Sequence, residues 1–473
     1  MRRTLVFVAG AMLLSALAAA QPSLVALGPA VVLAALAWRW PDAVAGVVAF
    51  AALALRPTLD AFSERRLGLG PLAIQPAAAF GAAVLLVGCV LAVRRFVSSR
   101  PHPLWPDAEL RRAHLFLAAA VAIQVFSAVR LFGASGLAEG VREISRVASI
   151  VLAFLVIWWW IEARPGRARI GWKFLLAGLV PPILFAGWQL VTGRGFWEPG
   201  SGLRIQGTFS HPNSFAQYLA PFILIAVAGI PAAPLHGKIW RAAGALGLAV
   251  LLMLTYSRTA IAVVGTALGA LVLLFLYWRG VRGLRPALAV LAFLGLAWLV
   301  VGEEVQQRFA PISLRRAIEQ ARVGRSQESF GWRLLNWRGL VVRGVEHPVL
   351  GHGANMTTRL NPLVNENNGI PFNAHNDFVR FFFEAGIVGL VCYGLYGLLL
   401  CLWAVRRARS VGAEAAALAA TLAAMLFFTA GMTELSLHTA NQYVLYGMLA
   451  LIYAPGVSSV RGESAGAEME YAR

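Results

Sequence analysis

Four short polar segments interrupt a chain that is otherwise strongly apolar: residues 204–213, 255–259, 333–353 and 375–377. Arg204 and Arg258 provide guanidinium groups, which stay charged and present a fixed fork of donors to phosphate oxygens. His375 provides an imidazole, whose ordinary pKa near neutrality suits a general base. These residue types predict a site in which arginines hold a diphosphate and a histidine removes a proton.

Arg258 and His375 each have a structural interpretation as well. An arginine near mid-membrane costs roughly 2.5 kcal/mol or more unless it meets water or a partner. Arg258, which interrupts a long apolar stretch, therefore faces an aqueous cavity or an anion, or lies in a polar turn with its side chain reaching the interface. His375, taken alone, also fits an interfacial histidine without a catalytic role. The residues themselves leave these alternatives open.

The segment Arg204–Asn213 leads into an apolar span. Pro212 suits the first turn of a helix, and Asn213 or Ser214 can cap that helix. A structural explanation therefore suffices for Pro212 and Asn213, and it leaves Arg204 unexplained. His211 and Asn213 stay candidates for contact with a substrate beside Arg204.

The remaining acidic and histidine residues allow a further contact to a substrate but predict no metal site. Glu434 and His438 are four residues apart in the last apolar stretch, which predicts one face of a helix. They are either a second polar contact to a substrate or a buried structural pair. Glu346, His347 and His352 have a spacing that fits no standard metal site. No nucleotide-binding loop is present, so we expect neither a metal nor a cofactor.

Composition excludes a soluble protein. Of 473 residues, 59% are hydrophobic and 13% are charged, and the mean hydropathy is +0.69. The 41 basic residues exceed the 22 acidic ones, which in a soluble chain would suggest a nucleic-acid partner. Here the basic residues form short clusters between apolar stretches, which indicates membrane orientation instead. We expect membrane lipid, and no nucleic acid, around this chain.

The apolar stretches predict an all-α, polytopic bundle of about 12 to 14 membrane spans. Even numbers of these stretches separate the basic clusters, which places the clusters on the cytoplasmic side. The connections 133–145 and 194–213, the Ser257-Arg258 break and the segment 303–377 then lie on the opposite side. The candidate spans are 4–20, 23–38, 43–55, 72–93, 115–132, 146–161, 174–193, 214–231, 242–256, 259–278, 286–302, 378–405, 413–432 and 434–454.

The same pattern predicts the organisation of the chain. Residues 1–130 form N-terminal spans, 131–302 spans that carry the arginines, 303–377 a long periplasmic loop, 378–455 C-terminal spans and 456–473 a cytoplasmic tail. Within the loop, residues 306–325 have the spacing of an amphipathic surface helix. Residues 361–376 are rich in Asn, Pro and Gly and predict irregular structure.

The polar segments together resemble the O-antigen ligase and polymerase family. His375-Asn376, nine residues, Gly386, two residues and Gly389 is similar to the signature of that family. The resemblance extends over about residues 200 to 450. Its other motifs are Arg204 with Gly-Thr-Phe and His-Pro-Asn to Asn213, Ser257-Arg258, and Arg333-x3-Trp337 before the His-Pro-x-x-Gly-x-Gly of residues 347–353.

The resemblance implies a metal-independent, multi-pass glycosyltransferase of the bacterial inner membrane, similar to the lipid-donor (GT-C-like) transferases. Such an enzyme moves a glycan from undecaprenyl diphosphate to a sugar hydroxyl at the periplasmic face. By this resemblance His375 is the base and Arg204 and Arg258 bind the diphosphate. Arg333, Asn376 and the polar residues discussed above are further candidates for substrate contact.

Three function classes follow from these observations. The first class is a transferase, whose acceptor is lipid A core for a ligase or a second lipid-linked repeat unit for a polymerase. A polysaccharide chain-length regulator is a candidate partner of such an enzyme. The second class is a transporter or flippase of lipid-linked sugars, which would also use an intramembrane arginine, and the third is a scaffold protein, in which His375 would be dispensable. If His375 is the base, its activity should require the neutral ring, with a pKa at or below about 6.5 because nearby Arg204 or Arg258 lowers it.

Overall fold

The computed structural model describes residues 27–62, 67–69, 72–98, 103–198, 202–280, 329–364 and 371–454, with isolated positions between 288 and 303. The predicted span 4–20, most of the span 286–302, the surface helix 306–325 and the tail 456–473 lie outside the described residues. Apart from two short β-hairpins, the described chain is built from helices, as the sequence predicts.

Helices run through the first part of the chain in a nearly continuous series. The first hairpin pairs β1 (Leu67–Leu69) with β2 (Leu72–Ile74), and the second pairs β3 (Phe196–Glu198) with β4 (Gly202–Arg204). The helices are α1 (Leu27–Arg39), α2 (Pro41–Phe50, continued through Ala51–Leu55 and Arg56–Leu59), α3 (Pro76–Phe96), α4 (Ala108–Ala163), α5 (Arg167–Thr192), α6 (Pro212–Gly229), α7 (Leu235–Leu254) and α8 (Arg258–Arg279).

The second part of the chain contains shorter helices and two more long ones. These helices are α9 (Ser329–Gly344), α10 (Thr357–Leu360), α11 (Asp377–Val411), α12 (Ala413–Ala424, continued through Met425–Thr429 and Ala430–Met432) and α13 (Thr439–Tyr453). Among the described residues, eight helical segments are long and apolar enough to cross a membrane, which makes this an all-α membrane protein. They are Pro41–Phe62, Pro76–Phe96, Ala108–Ala163, Arg167–Thr192, Leu235–Leu254, Arg258–Trp278, Asp377–Val411 and Ala413–Met432.

Helix α4 is a hairpin of two antiparallel arms, not one rod. Gly133 has non-helical dihedrals (φ 58°, ψ −129°). A Cβ at Gly136 would lie 1.9 Å from the carbonyl oxygen of Ala128, and one at Gly140 would lie 2.8 Å from Val125. A continuous helix would separate the second pair by about 22 Å along its axis. The predicted connection 133–145 between two spans is therefore present as a reversal at Gly133, but the residues after Gly133 are helical and do not form a loop.

Helix α11 also reverses on itself, at Gly386 (φ 63°, ψ −165°). The hydroxyl of Tyr393 donates to Asp377 over 3.0 Å, and the rings of Phe381 and Tyr393 stack with centroids 4.1 Å apart. A continuous helix would place Asp377 about 24 Å from Tyr393 along its axis. The predicted span 378–405 is therefore corrected: residues 377–385 form a short helix that folds back along the longer arm.

Residues 347–353 pack against this reversal and satisfy its backbone groups. The N–H groups of His352 and Gly353 donate to the carbonyls of Phe383 and Glu384, each over 2.8 Å. The carbonyl of Pro348 accepts from the N–H of Ile387 over 2.8 Å, at the start of the longer arm. A helix end leaves such groups without intrahelical partners, so this segment caps both arms of α11. Its role in the fold is structural.

Basic segments meet at the end of the bundle opposite the Gly133 reversal, where α4 begins and ends. Among the described residues, ion pairs there are Arg95–Glu162 (2.7 Å), Arg406–Glu109 (2.6 Å), Arg407–Asp107 (3.4 Å), Arg241–Glu414 (3.4 Å) and Arg167–Asp42 (3.1 Å).

Candidate functional site

Arg204 lies at the end of β4 and is fixed from two directions. Its side chain is only 4% exposed. Its Nε donates to the carbonyl of Thr255 over 2.7 Å, and a terminal nitrogen donates to Oδ1 of Asn213 over 3.0 Å. The N–H of Ile205 donates to the carbonyl of Leu254 over 3.2 Å. The structure therefore brings together two of the predicted polar segments, 204–213 and 255–259.

Arg258 begins α8 directly after the turn that Arg204 contacts. The side chain of Ser257 caps the helix by accepting from the N–H of Ala260 over 3.4 Å, and Tyr256 has a left-handed φ of 52°. The predicted helix break at Ser257-Arg258 is present. Nε of Arg258 is buried, with no hydrogen-bond partner among the described residues. This position favours an inward-facing guanidinium over one that extends to solvent.

His211, not Asn213 or Ser214, is the N-cap of α6. Its Nδ1 accepts from the N–H of Asn213 over 3.1 Å, and Pro212 occupies the first turn as predicted. The predicted capping residues have other partners: Asn213 holds Arg204, and Oγ of Ser214 contacts Nδ1 of His438 over 3.0 Å. The correction follows from ring geometry, because an imidazole nitrogen at the N-cap can accept as a hydroxyl does.

His375 lies in a loop that α9 holds in place. Trp337 Nε1 donates to the carbonyl of Ala374 over 2.9 Å, and Asn336 donates to the carbonyls of Asn373 (2.8 Å) and Ala374 (3.2 Å). The ring of Trp332 meets the half-buried ring of His375 edge-on, with centroids 5.4 Å apart. The loop is irregular, as predicted, at its described residues 361–364 and 371–376.

Asn376 is the N-cap of α11, since its Oδ1 accepts from the N–H of Val379 over 3.1 Å. This hydrogen bond explains the asparagine of the His-Asn pair without a substrate. It also fixes the backbone directly after His375, whose φ is left-handed at 51°. The sequence prediction of Asn376 as a substrate contact stays untested.

Burial and neighbouring positive charge keep the histidines of this site neutral. Burial lowers the pKa of His375 to about 4, with further lowering by Arg333 and His438. Burial likewise lowers the pKa of His211 to about 3, followed by the charges of Arg204, His438, His375 and Arg333. The sequence assigned the lowering at His375 to Arg204 or Arg258; the larger causes are burial and Arg333. The charges of Arg204 and Arg333 therefore act on these rings, which makes the group a candidate site.

Glu434 and His438 do not share a helix face, because the chain between α12 and α13 is not an α-helix. Glu434 has left-handed dihedrals (φ 61°, ψ 86°), and α13 begins only at Thr439. Nε2 of His438 lies 3.1 Å from the carbonyl of Thr433, so this nitrogen carries the proton and Nδ1 accepts from Ser214. The prediction that Glu434 and His438 share one helical face is therefore wrong. The last helix, α13, is also shorter than the predicted span 434–454.

A buried charge network beneath the site was missed from the sequence. Arg380 is 1% exposed and pairs with Glu143 (3.0 Å) and Glu384 (3.1 Å), and it donates to Ser436 over 2.8 Å. Asp377 accepts from the N–H of Ser436 over 2.9 Å. The network joins α4, the short arm of α11 and the segment beside Glu434. Charged residues within apolar helices were the available signal.

No group of three or more histidine, cysteine or acidic side chains that could hold a metal occurs in the described part of the chain. The His347 and His352 rings are 4.8 Å apart, and Glu346 lies 3.5 Å from Nε2 of His352. His352 also stacks on Phe383 with centroids 4.5 Å apart, which fits a packing role.

Comparison with known proteins shows a partial match to one family model. Residues 243–394 match the family model described as O-antigen ligase, and this region is less than half of the chain. It includes Arg258, Arg333 and His375, whereas Arg204 and Glu434 lie outside it. No curated protein matches the chain. Residues 243–394 of this chain are therefore similar to the O-antigen ligase family.

Proposed function

We propose that this protein transfers a glycan from a polyprenyl-diphosphate donor, of the undecaprenyl type, to a sugar hydroxyl of an acceptor. The reaction takes place at the periplasmic face of the bacterial inner membrane. The family match supports glycosyl transfer of the O-antigen ligase or polymerase type. The donor, the face and the residue roles are our inference.

The observation that carries the proposal is the placement of His375. Its half-buried ring lies where the charges of Arg333 and His438 act on it, and where it acts in turn on His211 beside Arg204. The lowered pKa of His375 keeps the imidazole neutral at physiological pH, and only the neutral ring can accept a proton. A neutral base beside fixed cations suits attack on a diphosphate-activated sugar.

The chemistry is a single displacement. The acceptor oxygen forms a bond to the anomeric carbon, and the bond from that carbon to the diphosphate oxygen breaks with its electron pair. The proton of the acceptor hydroxyl passes to His375. Arg258, Arg333 and the pre-oriented Arg204 stabilise the negative charge that develops on the leaving diphosphate. One displacement inverts the configuration at the anomeric carbon.

Asn213 supports this arrangement by fixing Arg204. An arginine that is already held in place needs little reorganisation when negative charge develops on the leaving diphosphate, which is the advantage of preorganised donors. His211, Asn376 and His438 have structural hydrogen bonds here, so we assign their influence to the shape and charge of the site. The acceptor is lipid A core for a ligase or a second lipid-linked repeat unit for a polymerase.

The test replaces His375 by alanine in a deletion strain and analyses the envelope polysaccharide on a gel. We expect loss of the long glycan at an unchanged level of protein in the membrane. Accumulation of free lipid-linked polymer would identify a ligase, and accumulation of single repeat units a polymerase. The matched control is His236→Ala, because His236 is exposed at the start of α7, and the 20 residues of that helix separate it from the end beside Thr255, which contacts Arg204.

Full-length glycan at normal yield from His375→Ala would contradict the assignment of the base. A loss of glycan in both variants would point to a lower level of the protein in the membrane, which an immunoblot of the membrane fraction measures. Movement of the lipid-linked donor across the membrane without formation of a glycosidic bond would favour a transporter.

A further inference from the structure

Glu434 differs from the other buried carboxyls near the site. Glu143 pairs with two arginines, Glu384 with Arg380, Gln124 and Thr357, and Asp377 with Tyr393 and Ser436. Glu434 is 2% exposed; its carboxyl accepts from the backbone N–H of His375, and its Oε1 has no partner among the described residues. A buried polar atom without a hydrogen-bond partner is energetically costly, so this oxygen is a candidate hydrogen-bonding position for a ligand.

The backbone at Glu434 is strained, and the surrounding structure holds it there. A left-handed φ of 61° is disfavoured for a residue with a Cβ. The N–H of Thr433 donates to the carbonyl of Thr429 over 2.9 Å, and Gln442 Nε2 donates to the carbonyl of Leu435 over 2.7 Å. These bonds fix both sides of Glu434. In this conformation the carboxyl of Glu434 accepts from the backbone N–H of His375, which is itself left-handed.

The charges around Glu434 favour its neutral form. Burial, followed by the negative charge of Asp377, raises the pKa of Glu434 to about 8, and Glu384 acts in the same direction. Arg380 and the N–H of His375 act against them. On its own segment, burial lowers the pKa of His438, whose ring contacts Ser214 and Thr433. Because one carboxyl oxygen accepts from His375, the proton of the neutral acid lies on Oε1.

We propose that Glu434 acts as a neutral acid, and that its Oε1 donates a hydrogen bond to an oxygen of the acceptor sugar held at His375. The inference rests on the proposed function. We assign this hydrogen bond to the acceptor sugar and not to the donor lipid. Glu434 is hydrogen-bonded to the backbone of His375, the residue that takes the proton of the acceptor hydroxyl. A neutral donor also avoids the repulsion that a carboxylate would exert on a nearby diphosphate.

The experiment measures transfer from a lipid-linked donor by the full chain in lipid nanodiscs, as kcat/KM for the acceptor between pH 6 and pH 10 (about two units either side of the pKa of Glu434). For the unsubstituted protein we expect activity to fall as pH rises through about 8, where Glu434 loses the proton that it donates. Glu434→Gln keeps an N–H donor at every pH. It should stay within about threefold of full activity at pH 7 and lose the alkaline decline.

Glu434→Ala should lower kcat/KM for the acceptor by about tenfold or more and leave KM for the donor unchanged. Glu162→Gln makes the same carboxyl-to-amide change at the opposite end of the bundle, where Glu162 pairs with Arg95. This control should keep both the activity and the alkaline decline. Size-exclusion profiles and melting temperatures of all variants show whether each one is folded.

Two results would overturn the inference. Folded Glu434→Gln that is as inactive as Glu434→Ala would mean that the reaction needs a carboxylate, and an unchanged alkaline decline in Glu434→Gln would mean that another group titrates. If the unsubstituted protein transfers no glycan at all, the proposed function itself fails. That case is separate, because an active protein with an inactive His375→Ala variant keeps the proposed function whatever Glu434 does.

Discussion

Removal of the Arg380 side chain should destabilise the protein more than almost any other single substitution. The guanidinium is fully enclosed and pairs with Glu143 over 3.0 Å and Glu384 over 3.1 Å. Breaking a buried pair by removing one partner costs about 3–5 kcal/mol, because a charge is left buried without compensation. Arg380→Met leaves Glu384 with only the neutral donors Gln124 and Thr357. We therefore expect a loss of about 3–5 kcal/mol in the free energy of unfolding.

The assay is denaturant unfolding of the purified protein in a single detergent, followed by tryptophan fluorescence. Arg380→Met/Glu384→Gln should recover part of the loss, because removal of the second charge lowers the number of uncompensated groups. The control Arg95→Met breaks the more exposed pair with Glu162 and should cost at most about 1 kcal/mol. A loss below about 1 kcal/mol for Arg380→Met, or no recovery in the double variant, would refute the reasoning.

Two further predictions concern the reversal of α11 and the base. Gly386→Ala should prevent correct folding, because φ is 63° and a Cβ would lie 2.2 Å from the backbone of Val349. The protease resistance of the membrane-inserted protein measures the loss of folding. The control is Gly394→Ala, where no atom lies within 4 Å of the added Cβ. The transfer rate should lose its base-dependent part only as pH falls through about 4, where His375 becomes protonated. Arg333→Gln removes a neighbouring positive charge and should move that acid limb to higher pH, since the charge of Arg333 lowers the pKa of His375. A pH–rate profile tests both statements, and an acid limb near pH 6.5 (the ordinary pKa of histidine) in the unsubstituted protein would contradict the first of them.

The sequence predicted the membrane class and proposed the residues of a candidate site. Composition and the length of apolar stretches are sufficient for the class, because a span must satisfy its own backbone and match the thickness of the bilayer. Polar residues inside such a chain are rare and costly, so Arg204, Arg258 and His375 stood out without any coordinates. The helix break at Ser257 and the first-turn position of Pro212 followed from local geometry in the same way.

The sequence predicted a reversal between the spans 115–132 and 146–161, but it did not predict the reversal of α11 at Gly386. A window of apolar residues has the same appearance whether the chain continues or turns back at one glycine, so residues 378–405 were assigned to one continuous span. Gly386 is required because the backbone of Val349 lies 2.2 Å from the position of an added Cβ. Such approach depends on residues that are distant in sequence, such as Val349 beside Gly386.

By itself the sequence determined that this protein folds in a membrane and which side chains can bind an anion or take a proton. Those properties follow from single residues and short windows. Only the tertiary structure decided which of these side chains are already satisfied: Asn376 and His438 have structural partners, whereas Oε1 of Glu434 is buried without one among the described residues. The reason is that a hydrogen bond depends on the position of its partner, and a partner can be distant in the chain, as Ser214 is from His438.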